Sequence, residues 1–412
     1  MRIWIINHYG STPDQPSTSA FYIARELVAR GADVTIFASA FNYYFQKDSK
    51  SKGFRLVTVE SYDGVTFLWL RTPAIRGALG RGINIASYTM IAFLAGLFRR
   101  GRPDVVIGVC PHPGAALSAW LLSALRGGKF IYEIRDIWPE SLRKYVKGPM
   151  TRLAYRMIYG LQSFLYRQAH LMLSVLPEIG HYLEDRGFPD KPHFYAPNGI
   201  YLDRRCANEH ANGVIRIKTS AEGFNFVYCG GFSRYQGVGV ILEAFLRVSE
   251  LVGSNKVRLH MVGEGSEKVA IRETVAQSGA RNVMLYDAVP RDAVQDVLAQ
   301  SDCNLYHLSD IGEALRYGIS PNKLMEYLAS GRPLVYAMPR DWSVLREGRI
   351  GVYCPPDDPD SLAKAMRTMA EAKTETRTRY GAGAASTARK FDVVNIAGDL
   401  HARLLRLEEA PK

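Results

Sequence analysis

Short apolar runs alternate along the chain with longer stretches whose apolar positions recur at helical spacing. Residues 3–7 form one such run, followed by a loop rich in Gly, Ser, Thr and Pro over 10–19. Residues 19–31 then carry apolar positions three and four apart and stop at Gly31, and Asp33–Ser39 is a second run. Strand, polar loop, helix and strand make a βαβ unit, which predicts a parallel sheet with a right-handed crossover. Residues 54–70 alternate apolar and polar around Tyr62-Asp63-Gly64 and predict a hairpin. The series continues with helices at 83–98, 115–125, 153–166 and 177–186. Strands are expected at 103–109, 130–135, 171–176 and 192–196.

Residues 200–223 lack periodicity and read as a connection. A second β/α series follows, with strands at 224–231, 256–265, 282–289, 303–308, 333–338 and 352–354. Helices are expected at 238–251, 267–277 and 291–300, from 322, and around 360–390. The expected fold is therefore α/β, two Rossmann-like doubly wound domains facing across a cleft. They span 1–200 and 201–390, and a terminal helix over 391–412 packs back on the first domain.

Composition changes this picture in one respect. Hydrophobic residues at 47% and charged residues at 22% are ordinary for globular chains, but a net charge of +12 is not. It implies anionic partners: phosphorylated substrates or an anionic membrane surface. No zinc-finger spacing, RNA-binding signature or basic tail accompanies it, so nucleic acid is not an expected partner. Five scattered cysteines without a CxxC pair fit a reducing cytosol. The first residues read as a buried strand rather than a signal. Residues 83–98 are nearly uncharged and end at Arg99-Arg100, too short to span a bilayer. Two readings stay open for this helix: burial against the sheet, or insertion of Phe93, Leu94, Leu97 and Phe98 into a bilayer interface. Arg99, Arg100 and Arg102 would then meet headgroups, with Arg143, Lys144, Lys147, Arg152, Arg156 and Arg167 extending the basic surface.

Candidate chemistry gathers at strand ends. Residues 312–333 read GEALRYGISPNKLMEYLASGRP, a loop turning into a helix near Asn322. A helix start offers free N–H groups and the positive end of its dipole to an anion. Lys323 adds a cation suited to a diphosphate, and Glu326, about one turn on, suits ribose hydroxyls; Ser320 and Asn322 stand at the same helix start. Gly230-Gly231 before Arg234, Gly263-Glu264-Gly265, and Asp287-Ala288-Val289 end three other strands. The glycines allow close backbone approach to phosphate, and the backbone at Ala288 and Val289 could read a nucleobase edge. In the first half, Asp136 follows a strand and could position or deprotonate an acceptor hydroxyl. It could equally cap a helix or pair with Arg135 or Arg143. Trp138-Pro139 stiffen its loop. His112, between two prolines, could contact an acceptor or be structural.

These stretches resemble bacterial glycosyltransferases of family 4 with the GT-B architecture, over nearly the whole chain. The likeness rests on ELVARGADVTIF, YEIRDIWPES at 132–141, APNGI at 196–200, CGGFSRYQGVGVILEAF at 229–245, VGEG at 262–265 and SPNKLMEYLASGRP. Two of them resemble the subgroup that adds N-acetylated deoxysugars such as N-acetylfucosamine in O-antigen or capsule synthesis. The resemblance implies a retaining enzyme needing no metal or other cofactor. It implies a nucleotide-sugar donor, probably UDP-linked, and a polyprenyl-diphosphate-linked glycan acceptor. The expected location is the cytoplasm, in peripheral contact with the anionic inner membrane surface. Arg234 and Lys323 would hold the diphosphate, Glu326 the ribose, with Gly231, Gly263, Ala288, Val289, Ser320 and Asn322 lining the donor. Asp136, His112 and Trp138 would serve sugar and acceptor. Two departures stand out. The first of the family's paired glutamates falls at Gly318, and the lysine usual after the phosphate-binding arginine is Gln236. A sugar-nucleotide 2-epimerase and a non-catalytic assembly scaffold are the competing expectations.

Overall fold

The structure is a computed structural model. It describes all residues except 13–18, 43–46, 49, 52, 76, 141, 142, 144, 145, 203–216, 218–222, 319 and 410–412. Most of the expected connection at 200–223, and Lys144 of the expected basic surface, lie outside the described residues. The chain forms two compact units. Unit 1 comprises residues 1–199, 316–320 and 393–412, and unit 2 residues 200–315 and 321–392.

Among the described residues, ten strands belong to unit 1: β1 (Arg2–Ile6), β2 (Asp33–Ser39), β3 (Phe41–Asn42), β4 (Lys47–Asp48), β5 (Val57–Tyr62), β6 (Val65–Leu70), β7 (Val105–Cys110), β8 (Lys129–Ile134), β9 (Leu171–Ser174) and β10 (His193–Tyr195). Eight of them make one sheet in the order β10-β9-β8-β7-β1-β2-β6-β5, parallel except for the β5–β6 hairpin. Asp63 and Gly64, at φ 47° and 81°, close that hairpin with the two positive-φ residues a tight turn needs. β7 is buried throughout, as a strand covered on both faces must be. The helices are α1 (Ser19–Ala29), α2 (Gly77–Leu97), α3 (Pro113–Arg126), α4 (Pro149–Gln168), α5 (Ile179–Asp185) and the terminal α13 (Val393–Glu409). α3 packs on both α2 and α4, with Trp120 edge-on to Phe164 at 4.9 Å, and α13 packs on α1.

The helix expected at 83–98 begins earlier, at Gly77, and one expectation for it needs correcting. Phe93 and Leu97 lean on the core around Tyr88, Ala92 and Leu122. The apolar stripe left open consists instead of Leu79, Ile83, Met90 and Leu94, with Phe98 just beyond the helix. No helix among the described residues is long and apolar enough to cross a membrane.

Among the described residues, unit 2 holds six strands: β11 (Phe224–Cys229), β12 (Val257–Val262), β13 (Val283–Tyr286), β14 (Cys303–His307), β15 (Leu334–Ala337) and β16 (Gly351–Cys354). They form an all-parallel sheet in the order β13-β12-β11-β14-β15-β16. Its helices are α6 (Val238–Val252), α7 (Lys268–Ser278), α8 (Val294–Ala299), α9 (Asn322–Ala329), α10 (Ser343–Gly348), α11 (Pro359–Ala370) and α12 (Thr374–Ala388). The core gathers Phe226, Ile241, Phe245, Leu259, Met366 and Met369, all fully buried. Burial of side chains this size stabilises by roughly 1.5–3 kcal/mol each. In both sheets the strand order reverses beside the first strand, between β1 and β7 and between β11 and β14. Ligands bind at such switch points, beyond the carboxyl ends of the strands.

Candidate functional site

The residues singled out in the sequence fall into two groups, one in each unit. In unit 2, α9 starts at Asn322 behind Pro321, and no side chain caps its first turn. The N–H groups there are left for an anion. Lys323 lies in that turn. Its Nζ donates to Tyr228 Oη at 3.0 Å and Gln236 Oε1 at 2.8 Å, and sits 4.7 Å from the Tyr228 ring centre. Burial lowers its pKa to about 8, while Cys229 and Glu326 act the other way. An ammonium held by neutral groups keeps its charge unspent, ready for an anionic ligand.

Tyr228 is fixed in turn, donating to the Gly231 carbonyl at 2.6 Å. α9 is pinned to the end of β11 by Tyr327, whose hydroxyl accepts from Cys229 N at 2.8 Å and donates to Cys229 O at 3.0 Å. A Cβ on Gly230 would overlap the Lys323 ammonium, and one on Gly263 would overlap the Gly230 carbonyl. Close approach, rather than turn-making alone, is what these glycines supply. The two loops are joined by Gly230 N to Val262 O at 2.8 Å and Phe232 N to Glu264 O at 2.7 Å. Arg234 and Gly231 are exposed at the same strand end, and Ala288 is exposed after β13 with Val289 half-buried. Glu326 is half-buried, its carboxyl pushed up by burial and drawn back by Arg291 at 3.4 Å.

Gln236 explains one departure. A lysine there would set a second ammonium against Lys323, and like charges a few ångströms apart repel. The amide instead accepts from the single ammonium and aims it. Gly318 explains the other. It is buried at φ 84°, where a glutamate would be strained.

Gly318 and Ser320 belong to unit 1, where residues 316–320 are held at several points. Arg316 and Tyr317 both reach Asp185, at 2.9 and 2.5 Å, and Glu178 N donates to Tyr317 O. Ser320 Oγ accepts from Asn198 N at 2.8 Å, and its carbonyl accepts from Asn198 Nδ2 at 2.6 Å. Ser320 is thus engaged with Asn198. Asn198 Oδ1 in turn accepts from Arg135 at 2.7 Å, and Arg135 also binds Ser19 and Glu133. Arg135 therefore fixes the loop that presents Asp136. The Asp136 side chain reaches solvent, yet enough protein surrounds the carboxyl to raise its pKa, with Arg135 opposing. The ion pair considered for Asp136 with Arg135 goes to Glu133 instead. The Trp138–Pro139 peptide is cis, and Trp138 is half-buried.

His112 lies at the switch point with His8. The rings share a hydrogen bond between His8 Nδ1 and His112 Nε2 of 2.7 Å, and His8 stacks between Tyr9 and Tyr88. Burial lowers both pKa values, that of His112 to about 3, so the pair is neutral at physiological pH. His112 Nδ1 has no partner among the described residues. His8 and Asn198 were not expected as site residues, although APNGI had marked the second. Among the described residues no cluster of His, Cys, Asp or Glu could hold a metal ion.

Two parallel Rossmann-like sheets with convergent strand-end loops define a GT-B fold of the glycosyltransferase class. A glycosyl transferase 4-like domain matches residues 16–199, and a "glycosyl transferases group 1" domain matches 223–372. The chain therefore carries the two domains of family-4/group 1 glycosyltransferases. Among curated relatives it is similar to probable glycosyltransferase WbjE of Pseudomonas aeruginosa, 23% identical over 66% of this chain and 68% of that one. It is also similar to the putative colanic acid biosynthesis glycosyl transferase WcaI of Escherichia coli K12, 22% identical over 74% and 75%. Solved structures with this fold include WaaG, described as involved in lipopolysaccharide biosynthesis, at TM-score 0.66 and 15% identity over 98% and 99% of the chains. Anabaena HepE in complex with UDP and glucose matches at TM-score 0.63 and 15% identity, over 98% and 100%.

Proposed function

We propose that this glycosyltransferase moves a sugar from a UDP-linked donor to a polyprenyl-diphosphate-linked glycan during surface-polysaccharide synthesis, with retention at the anomeric carbon. The sugar is an N-acetylated deoxyhexosamine or hexosamine on this reading, and the acceptor places the enzyme at the inner face of the membrane. The observation that carries the proposal is Lys323: a half-buried lysine in the uncapped first turn of α9, whose ammonium donates to the neutral oxygens of Tyr228 and Gln236. As the bond from anomeric carbon to phosphate loosens, charge grows on the leaving diphosphate. Lys323, Arg234 and the helix N–H groups stabilise it, and preorganised donors of this kind are worth most where charge develops. Glu326 takes the ribose hydroxyls, and Asp136 positions the attacking acceptor hydroxyl. No metal is assigned a role. The name of WcaI supports the pathway class, and the UDP complexes of HepE support the nucleotide.

The test is release of UDP from a panel of UDP-sugars, with and without a polyprenyl-diphosphate-linked acceptor. Acceptor-dependent release is expected. Isomerisation of the donor without acceptor, or no release from any donor, would contradict the proposal.

A further inference from the structure

Arg186, the residue after α5, has a side chain only 4% exposed. Its guanidinium carbon lies 4.0 Å from the ring centre of Tyr159, with the rings of Tyr166 and Tyr182 at 5.2 and 5.7 Å. Nη1 reaches Glu140 Oε1 at 2.5 Å, Tyr182 Oη at 2.8 Å and Gln162 Oε1 at 3.0 Å, and Nη2 donates to Ser163 Oγ at 3.2 Å. Two of these partners lead to the loop that carries Asp136. Glu140 closes that loop. Gln162, on α4, donates through Nε2 to Tyr132 Oη at 3.2 Å, and Tyr132 belongs to β8, the strand from which the loop departs. One guanidinium thus holds the loop from both of its ends. Between them, Ile137 and Pro139 are buried while Asp136 is exposed.

Stability alone is a weak reason for this arrangement. A buried ion pair strips water from both ions, and apolar side chains of the same volume often stabilise as well or better. This pair is disfavoured further, since Arg186 Nε and Glu140 Oε2 are buried with no partner among the described residues. What the guanidinium supplies, and an apolar group would not, is direction. Its planar fork fixes carboxylate, amide and hydroxyl partners at set angles. We propose that Arg186 is a positioning residue, which with Glu140 clamps the 135–140 loop and so sets the Asp136 carboxyl against the acceptor hydroxyl. The clamp rests on the assignment of Asp136 to the acceptor, and adds to it a pair of residues that act without touching substrate. It is distinct from the hold of Arg135, which engages Ser19, Glu133 and Asn198.

The experiment is steady-state transfer by the full chain, with the donor from the UDP-sugar panel that gives acceptor-dependent release of UDP. Arg186→Met with Glu140→Gln removes both charges at once and leaves no lone ion buried, while Glu140→Gln alone keeps the shape of the pair. Each is made with Asp136 intact and with Asp136→Asn. A displaced carboxyl misses the acceptor, so kcat should fall about tenfold to a hundredfold in the double variant, and less in Glu140→Gln. The donor KM and the affinity for UDP by calorimetry should stay at wild-type values. Thermal melts check that the variants fold, and Glu140→Gln carries the test if the double variant does not. In the Asp136→Asn background the same substitutions should cost almost nothing further, because residues acting through one carboxyl are not additive. A loss of equal size in both backgrounds would make the pair structural only and overturn the proposal, as would a wild-type kcat in the double variant. Weakened UDP binding in Glu140→Gln would overturn it too. If Asp136→Asn transfers at full speed, the assignment of Asp136 fails and the clamp with it. A crippled Asp136→Asn beside a full-speed double variant sinks the clamp alone.

Discussion

The two units share an architecture and differ in charge. Unit 1 carries 28 Lys and Arg against 17 Asp and Glu, whereas unit 2 carries 24 against 23. Nearly all of the net charge of +12 therefore belongs to the unit without Lys323 and Arg234. In unit 2, the groups proposed to bind the anion are few: the half-buried Lys323, the exposed Arg234 and an uncapped helix start, on a body that is almost neutral. In unit 1, charge is spread over a helix layer, while two groups at its strand ends, His8 and His112, are neutral. Net charge thus reports on unit 1 as a whole, while the groups proposed to hold phosphate are visible only in their placement. The +12, which composition could assign to phosphorylated substrates or to an anionic membrane surface, belongs almost wholly to the unit without Lys323 and Arg234.

The largest effect that would sharpen this contrast comes from Lys323→Ala. Removing the ammonium proposed to hold the diphosphate should cut turnover by about 10²–10³. Steady-state kinetics check it, and a variant within a few-fold of wild type would break the comparison. Next is Gly318→Glu, which restores the family's glutamate. Positive φ costs about 1–2 kcal/mol for a side-chain-bearing residue, and this position is buried besides. Thermal melts should show at least about 2 kcal/mol of lost stability; a gain in both stability and activity would contradict the account of Gly318.

The pH profile follows from the pKa of about 8 at Lys323. The ammonium is charged below that value and neutral above it. Donor capture measured as kcat/KM should therefore hold below pH 8 and fall about tenfold per unit above it. Bound diphosphate raises the pKa, so kcat should fall at higher pH than kcat/KM. For stability the sign is opposite. A lysine depressed in the folded state is charged more readily when unfolded, so its penalty is relieved as pH rises from about 8 towards its ordinary range. The smallest effect is Tyr327→Phe. It removes two hydrogen bonds to Cys229 backbone and should cost about 1–3 kcal/mol, read from denaturant midpoints, with nucleotide affinity falling as α9 loosens.

Strands were legible because they are apolar runs buried on both faces. Asp33–Ser39 was delimited residue for residue, and most of the others lie within a few residues of the expected ends. The start of α9 at Asn322 was legible from the Ser320-Pro321 boundary and the apolar stripe behind it. What was hidden depended on distant partners. Ser320 looks like part of a helix start, but its bonds go to Asn198, 122 residues away. His8 and His112 are 104 residues apart, and nothing local to either announces the pair. Gly318 stood out as a missing glutamate, yet only its φ gives the reason. On α2, nearly every position is apolar, so periodicity could not tell the face against the core, with Phe93 and Leu97, from the open face with Leu79 and Met90.

Calorimetry of UDP binding tests the division of labour most directly. Wild type is compared with Lys323→Ala in unit 2 and with the Arg152→Ala, Arg156→Ala pair in unit 1. The account predicts that Lys323→Ala weakens UDP binding at least about tenfold, while the paired arginine variant binds as wild type. Equal affinity in wild type and Lys323→Ala, or a comparable loss from the arginine pair, would contradict it.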